Sequence, residues 1–445
     1  MQLKTSYRQI LAISTPIMLG SAVQNVIALS DSVFLYHLSE VDFAAIGFVG
    51  VFYLIVAAIG FGFSKGGQIM IARRMGEDNY KEVGRTFYAM VYFEMALAIV
   101  MFLFMQFGCY YFFSLFVNSD EIFYKSLEYL NYRSWGVFFS YVGVAIVALY
   151  TGVARTSFIV IDTLILAAVN IVLNYGLIFG RWGMPEMGIA GAGLASTIAE
   201  VVAFIIFFIY VLNDKYARKY QLFKLPKIDF ELIRKQLKIS SPIVAQAVVG
   251  LGSWFVFFGI VENLGERELA ITNLVRMVYL VLSIPCWGFS SGINTMVSNF
   301  IGANRRDAVM PIILKTAKLC WFITMIITLP VVLFPEFILY PLLGSEDMSL
   351  ITEARPIFWV LFGILFVFSI GGIYFNGLAG TGATLYGLKI QGFSAVLYLI
   401  YIYIVVEFTD GGLVWAWASE IFYWIIMLFL IISYLQSRRW LKLKF

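Results

Sequence analysis

Seven charged side chains lie inside long apolar stretches of the sequence: Asp31, Lys65, Glu94, Arg133, Glu200, Arg276 and Glu420. A charge at the centre of a bilayer costs about 2.5–3.5 kcal/mol on insertion scales, so each needs a partner or a task. Asp31, within QNVIALSDSVF, has no basic residue three or four positions away. Apolar surroundings penalise its charged form, and such a carboxyl can pass between protonated and ionised states. Glu200 falls near the middle of its apolar run, and Ser196 and Thr197 begin the turn before it. Asn170 and Asn174 are four residues apart, which puts both on one face of a helix. Carboxylate, amide and hydroxyl oxygens can hold Na⁺ or form a proton network. They can equally bond one helix to another in lipid. Glu420, in the last apolar run, can face a cavity or pair with Arg276. Glu94, Lys65 and Arg133 lie nearer the ends of their runs, where snorkelling or a local ion pair is expected.

The elements that must position these groups follow from composition. Of 445 residues, 61% are hydrophobic and 13% charged, against about 45–50% and about 25% in soluble domains. So few polar residues cannot cover a water-soluble globule. A spanning helix needs about 20 apolar residues. The sequence predicts twelve, at 10–36, 46–72, 86–113, 125–152, 158–180, 188–212, 236–261, 268–298, 310–334, 348–377, 384–407 and 412–436. They are helices because lipid offers no partner to an open strand. The first run is too long for a signal-peptide core and reads as a retained helix. No room remains for a large soluble domain, which excludes a cytosolic enzyme and a nucleic-acid-binding protein. The single histidine, His37, excludes a histidine-rich metal site, and no nucleotide-binding G-x-x-x-x-G-K-[ST] occurs. Cys109, Cys286 and Cys320 all fall in apolar runs and suggest no disulfide framework.

Charge alternates between successive connections. One face is basic, carrying among others Lys4, Arg73, Arg85, Arg155, Lys224, Arg305, Arg439 and Lys444. The other is acidic, with Asp42, Glu121, Glu262, Glu336, Glu346, Asp347, Glu353 and Asp410; its basic residues are Lys125, Arg181, Arg267 and Arg355. The positive-inside rule then puts both termini in the cytoplasm.

The chain also repeats. LAISTPI at 11–17 returns as LKISSPI at 237–243, and GFSKG at 62–66 as GFSSG at 288–292, each 226 residues later. Two six-helix lobes follow, an N-lobe at 1–213 and a C-lobe at 236–445, joined by a basic linker at 214–235. Equal orientation of the two halves is a transporter signature, with substrate bound near mid-membrane between them; a duplicated scaffold without transport is the alternative. Pro16, fifteen residues before Asp31, favours a kink in the first helix. Pro242 is its repeat mate, yet the position matching Asp31 is Phe257. Coupling through the first half alone is expected; the alternative is that both prolines are ordinary helix kinks.

In its twelve helices and six-plus-six duplication the chain resembles the MATE family of multidrug and toxic-compound extruders. The resemblance is carried by Pro16 and Asp31 in helix 1, GFSKGGQIMIARRMGEDNYKEVGR at 62–85, GFSSGINTMVSNFIGANRRDAV at 288–309, GVART at 152–156 and GIAGAGLAST at 188–197. It implies an all-α, V-shaped transporter of two pseudo-symmetric lobes in a bacterial inner membrane. It implies export of organic, often cationic, compounds by H⁺- or Na⁺-coupled antiport with alternating access. Asp31 matches the family's helix 1 acid, whose protonation is linked to bending at the proline. Asn170 and Asn174 match its polar pair in helix 5, where the second position is often Asp; Na⁺ at Asp31, Asn170 and Asn174 is the corresponding metal expectation. Residues 236–261 hold no acid, a pattern similar to the DinF-like branch, and Glu200 is then expected to supply the charge that Asn174 lacks. No cofactor, no nucleic acid and a monomer among membrane lipids are expected. Two rivals are a flippase for lipid-linked sugars, which would want a basic cavity near Arg276, and a membrane-embedded enzyme, for which no paired metal motif is present.

Overall fold

A computed structural model describes residues 3–343, 348–409 and 411–443, with the backbone alone for Asn25, Ala28, Leu29, Tyr340, Pro341, Leu342, Leu343 and Met348. Glu346, Asp347, Asp410 and Lys444, used above to assign faces, lie outside the described residues. No strand occurs among the described residues. The N-terminal half holds α1 (Tyr7–Tyr36), α2 (Glu40–Gly76), α3 (Tyr80–Leu103), α4 (Cys109–Phe113), α5 (Asp120–Arg133), α6 (Gly136–Gly152), α7 (Ser157–Phe179) and α8 (Gly188–Asn213). The C-terminal half holds α9 (Phe230–Glu262), α10 (Glu266–Leu282), α11 (Ile284–Gly302), α12 (Val309–Leu333), α13 (Pro335–Leu343), α14 (Met348–Gly380), α15 (Thr384–Phe408) and α16 (Gly412–Gln436). Among the described residues nine helical segments are long and apolar enough to cross a membrane, eleven if α5 with α6 and α10 with α11 each form one bent span. α1 occupies the first expected run.

The ends follow local chemistry. Ser39 Oγ accepts from the Asp42 N–H at 3.0 Å and starts α2, as expected of a side chain that satisfies an orphan amide. Two predicted spans are broken: the fourth by 58° at residues 134–135, the eighth by 44° at Ser283. Pro285 stands at the start of α11, where its missing N–H costs nothing. A π-helical turn, Phe104–Gly108, separates α3 from α4.

Two compact units result, Leu19–Ser241 and Met1–Met18 with Pro242–Phe445. They differ from the expected lobes at 1–213 and 236–445, because the first stretch of each repeat packs with the other half's residues. In the first unit a Cβ on Gly66 would stand 1.9 Å from Ser240 Oγ, and Ser240 Oγ also donates to the Phe63 carbonyl at 2.9 Å. In the second unit a Cβ on Gly292 would stand 2.3 Å from Ser14 Oγ. Gly66 and Gly292 close the two GFS-motifs, and Ser14 and Ser240 sit in the two IS-motifs, so each repeated motif meets the opposite copy of its neighbour. The chain start is tied into its unit by Arg305 to the Leu3 carbonyl at 3.0 Å and Lys315 to the Thr5 carbonyl at 2.8 Å.

Three of the four basic residues expected on the acidic face pair with acids of that same face: Lys125 with Asp42 at 3.2 Å, Arg267 with Glu353 at 2.9 Å and Arg355 with Glu336 at 3.6 Å.

Candidate functional site

α1 and α7 lie side by side in the first unit. A Cβ on Gly20 would make ordinary contact with Thr163 Oγ1 at 3.5 Å, and Phe34 packs on Tyr175 and Phe179 at 6.3 and 6.1 Å. Between these contacts Asp31 meets α7: Asn174 Nδ2 donates to Asp31 Oδ1. The same amide donates to Asn170 Oδ1 at 3.1 Å, and Asn170 Nδ2 donates to Ser196 Oγ of α8 at 3.0 Å. Asn170 and Asn174 are essentially inaccessible, and Asn174 Oδ1 is buried with no hydrogen-bond partner. Such an orphaned acceptor beside a carboxyl is a place for a proton or a cation, since an unsatisfied buried oxygen is costly. Turning the amide over would present Oδ1 to a protonated Asp31 and Nδ2 to an ionised one, so Asn174 can serve either state.

The six residues expected to form one coupling group divide here. Asp31, Asn174, Asn170 and Ser196 form the chain just described. Glu200 does not join them: Arg133 Nη1 and Nη2 donate to its two carboxylate oxygens at 2.7 and 2.6 Å. A charged, bidentate guanidinium outcompetes neutral amides for a carboxylate. Arg133, expected to snorkel or pair locally, is 8% exposed and stacks over the Tyr53 ring at 3.8 Å. A Cβ on Gly136 would fall 2.4 Å from Arg133 Nη1 and from Glu200 Oε2, so only glycine admits the pair. Thr197 turns to the Tyr132 carbonyl at 2.9 Å. Arg133 nevertheless lies within electrostatic reach of Asp31, so the two groups share a neighbourhood.

In the second unit Arg276 and Glu420 form no ion pair with each other. Arg276 stands over the Phe258 ring at 5.5 Å, and Glu420 is buried among Tyr279, Tyr398 and Tyr423. Glu94 does not snorkel: it is fully buried and accepts from Ser64 Oγ at 2.8 Å. Pro16 lies inside α1, two residues before the boundary at Met18. Sequence reasoning missed Asp162, which is 7% exposed in α7 with Oδ1 unpartnered. Its signal was an acid with only Phe158 and Leu166 four residues away.

Apolar helical spans around a buried acid-amide chain define a polytopic membrane protein. The MatE family model matches twice, at residues 16–176 and 242–404, and the chain belongs to that family. The two matches reproduce the internal duplication, and the family makes the chain a transporter and not an enzyme. The chain is similar to a probable multidrug resistance protein NorM of Thermotoga maritima, 23% identical over 98% of this chain and 93% of that one. A probable multidrug resistance protein NorM of Synechocystis is 24% identical over 66% of this chain and 64% of its own length. Among solved structures, an outward-facing multidrug resistance MATE family transporter of the MOP superfamily superposes with a TM-score of 0.87, at 18% identity, over 97% of this chain and 95% of that one.

Proposed function

We propose that this transporter exports organic, often cationic, compounds by H⁺- or Na⁺-coupled antiport. The observation that carries the reading is the Asp31–Asn174 bond beside an orphaned amide oxygen. The multidrug resistance named for the NorM relatives supports the substrate class. The lack of any acid in 236–261 supports first-half coupling of the DinF-like kind. The basic face is cytoplasmic in a bacterial inner membrane, and the chain works as a monomer.

In this mechanism Asp31 takes a proton or Na⁺ from outside, with Asn174 turning its amide to suit. Neutralisation removes the cost of a bare carboxylate within the packed helices and favours substrate release; α1 bends at Pro16 as the state changes. Delivery of the ion inward gains about 2.3 kcal/mol per charge per 100 mV and about 1.4 kcal/mol per proton per pH unit. Glu200 acts through Arg133: the pair carries no net charge, and losing either partner leaves a bare charge near Asp31.

Vesicles carrying the purified protein, with pH and Na⁺ gradients imposed separately, test the proposal. Dye efflux should follow one imposed ion gradient. Efflux indifferent to both would overturn it.

A further inference from the structure

We propose that the cleft between the start of α3 and the linker residues 221–226 binds the phosphate headgroup of an anionic phospholipid. The cleft, of about 170 Å³, is lined by Lys81, Arg85, Gln221, Lys224 and Leu225. Its walls are fixed. Tyr88 donates to the Leu222 carbonyl, Tyr92 donates to the Pro226 carbonyl at 2.9 Å, and Arg85 pairs with Asp229 at 2.8 Å. Gly84 lets the linker close on α3, since a Cβ there would stand 2.1 Å from the Tyr220 carbonyl oxygen.

The charges in the cleft are unequal in availability. Arg85 is spent on Glu82 and Asp229, and Lys219 lies over the Tyr80 ring at 3.7 Å. Lys81 and Lys224 have no acidic partner among the described residues and remain for a ligand. The linker interleaves these cations with large exposed apolar side chains: Leu225 and Phe230 are each 76% exposed, with Phe223 and Ile228 beside them. Exposed apolar side chains alternating with lysines are unfavourable against bulk water and suit the headgroup–acyl boundary. A phosphodiester that carries acyl chains satisfies both features, whereas free phosphate satisfies the lysines alone. A basic pocket on the cytoplasmic leaflet is where anionic lipids are held, and the inference rests on the sidedness proposed above.

The test uses the full chain in detergent, thermal unfolding as readout, and three additives: dioctanoyl phosphatidylglycerol, dioctanoyl phosphatidylcholine and inorganic phosphate. The anionic lipid should raise Tm well beyond the other two. Each lysine near the surface contributes about fivefold in affinity, so K81Q/K224Q should weaken the apparent affinity about 25-fold. K318Q, an exposed lysine elsewhere, should leave it unchanged. L225S/F230S should weaken the lipid's effect and not that of phosphate. Equal shifts with phosphatidylcholine or with inorganic phosphate, or undiminished affinity in K81Q/K224Q, would overturn the site. Outside labelling of Lys81→Cys in intact cells would overturn the sidedness while leaving headgroup binding standing.

Discussion

Gly66 of α2 and Ser240 of α9 touch so closely that no side chain fits between them, and their repeat mates, Gly292 and Ser14, make the same contact. A methyl group at residue 66 would stand 1.9 Å from Ser240 Oγ and 3.0 Å from its Cα, so relief requires moving backbone. Overpacking of this kind costs about 1–3 kcal/mol. G66A should lower Tm in detergent, and G66A/S240G should recover part of the loss. A Tm unchanged in G66A would show that the helices separate freely there.

Asp31→Asn should fold and lose ion-driven export. The substitution keeps the shape and the hydrogen bond to Asn174 but cannot take up a proton or attract a cation. Asn174→Ala should also impair export although Asp31 is kept, because the amide that serves both states is gone. Resistance assays in cells matched for surface expression separate coupling from folding. Full resistance with Asp31→Asn would remove Asp31 from the mechanism.

The apolar runs and the Asn170–Asn174 pair were legible because both depend on local pattern. Asn170 and Asn174 share a helix face at a four-residue spacing, and Asp31 stands alone in an apolar run. The Arg133–Glu200 pair was not, for it joins α5 to α8 across 67 residues and needs Gly136 to make room. Hydropathy reads 125–152 as one run, which hides the break at 134–135 that ends α5 at Arg133. Asp162 escaped for the opposite reason: it falls near the start of its run, where charges usually belong to the interface. The unit boundaries were hidden because covalent halves are visible in a repeat, while the crosswise packing of Ser14 and Ser240 is not.

Asp214, which follows α8, gives a pH-dependent clamp outside the spans. Burial pushes its carboxyl up, but this is outweighed by the hydrogen bond from Arg155 at 2.6 Å, the Tyr216 N–H at 3.0 Å, the charge of Arg155 and the Tyr150 hydroxyl at 3.0 Å. The carboxyl is held below its ordinary value of 3.8. A folded-state pKa below the unfolded one contributes stability above the unfolded value, and that stability disappears as pH falls through the folded value. D214N should therefore lower Tm by a constant amount from neutral pH down to about pH 5. Below the ordinary value of 3.8 the gap to the unaltered protein should shrink. A gap that stays constant to strong acid would mean that Asp214 contributes by shape and not by charge.

The Arg133–Glu200 pair separates scaffold from coupling. Its side chains are only 10% and 13% exposed, so removing one partner strands a buried charge. That loss is about 3–5 kcal/mol, whereas replacing both ions with apolar groups of similar volume is often neutral. E200Q should lower Tm and also reduce export, because an uncompensated guanidinium near Asp31 repels an arriving cation. R133M/E200L should recover both, since the neutral pair and the apolar pair present the same net charge to Asp31. Recovery of Tm without export would give Glu200 a direct part in ion binding. Unchanged transport and ion dependence in E200Q would leave the pair a structural tie between α5 and α8.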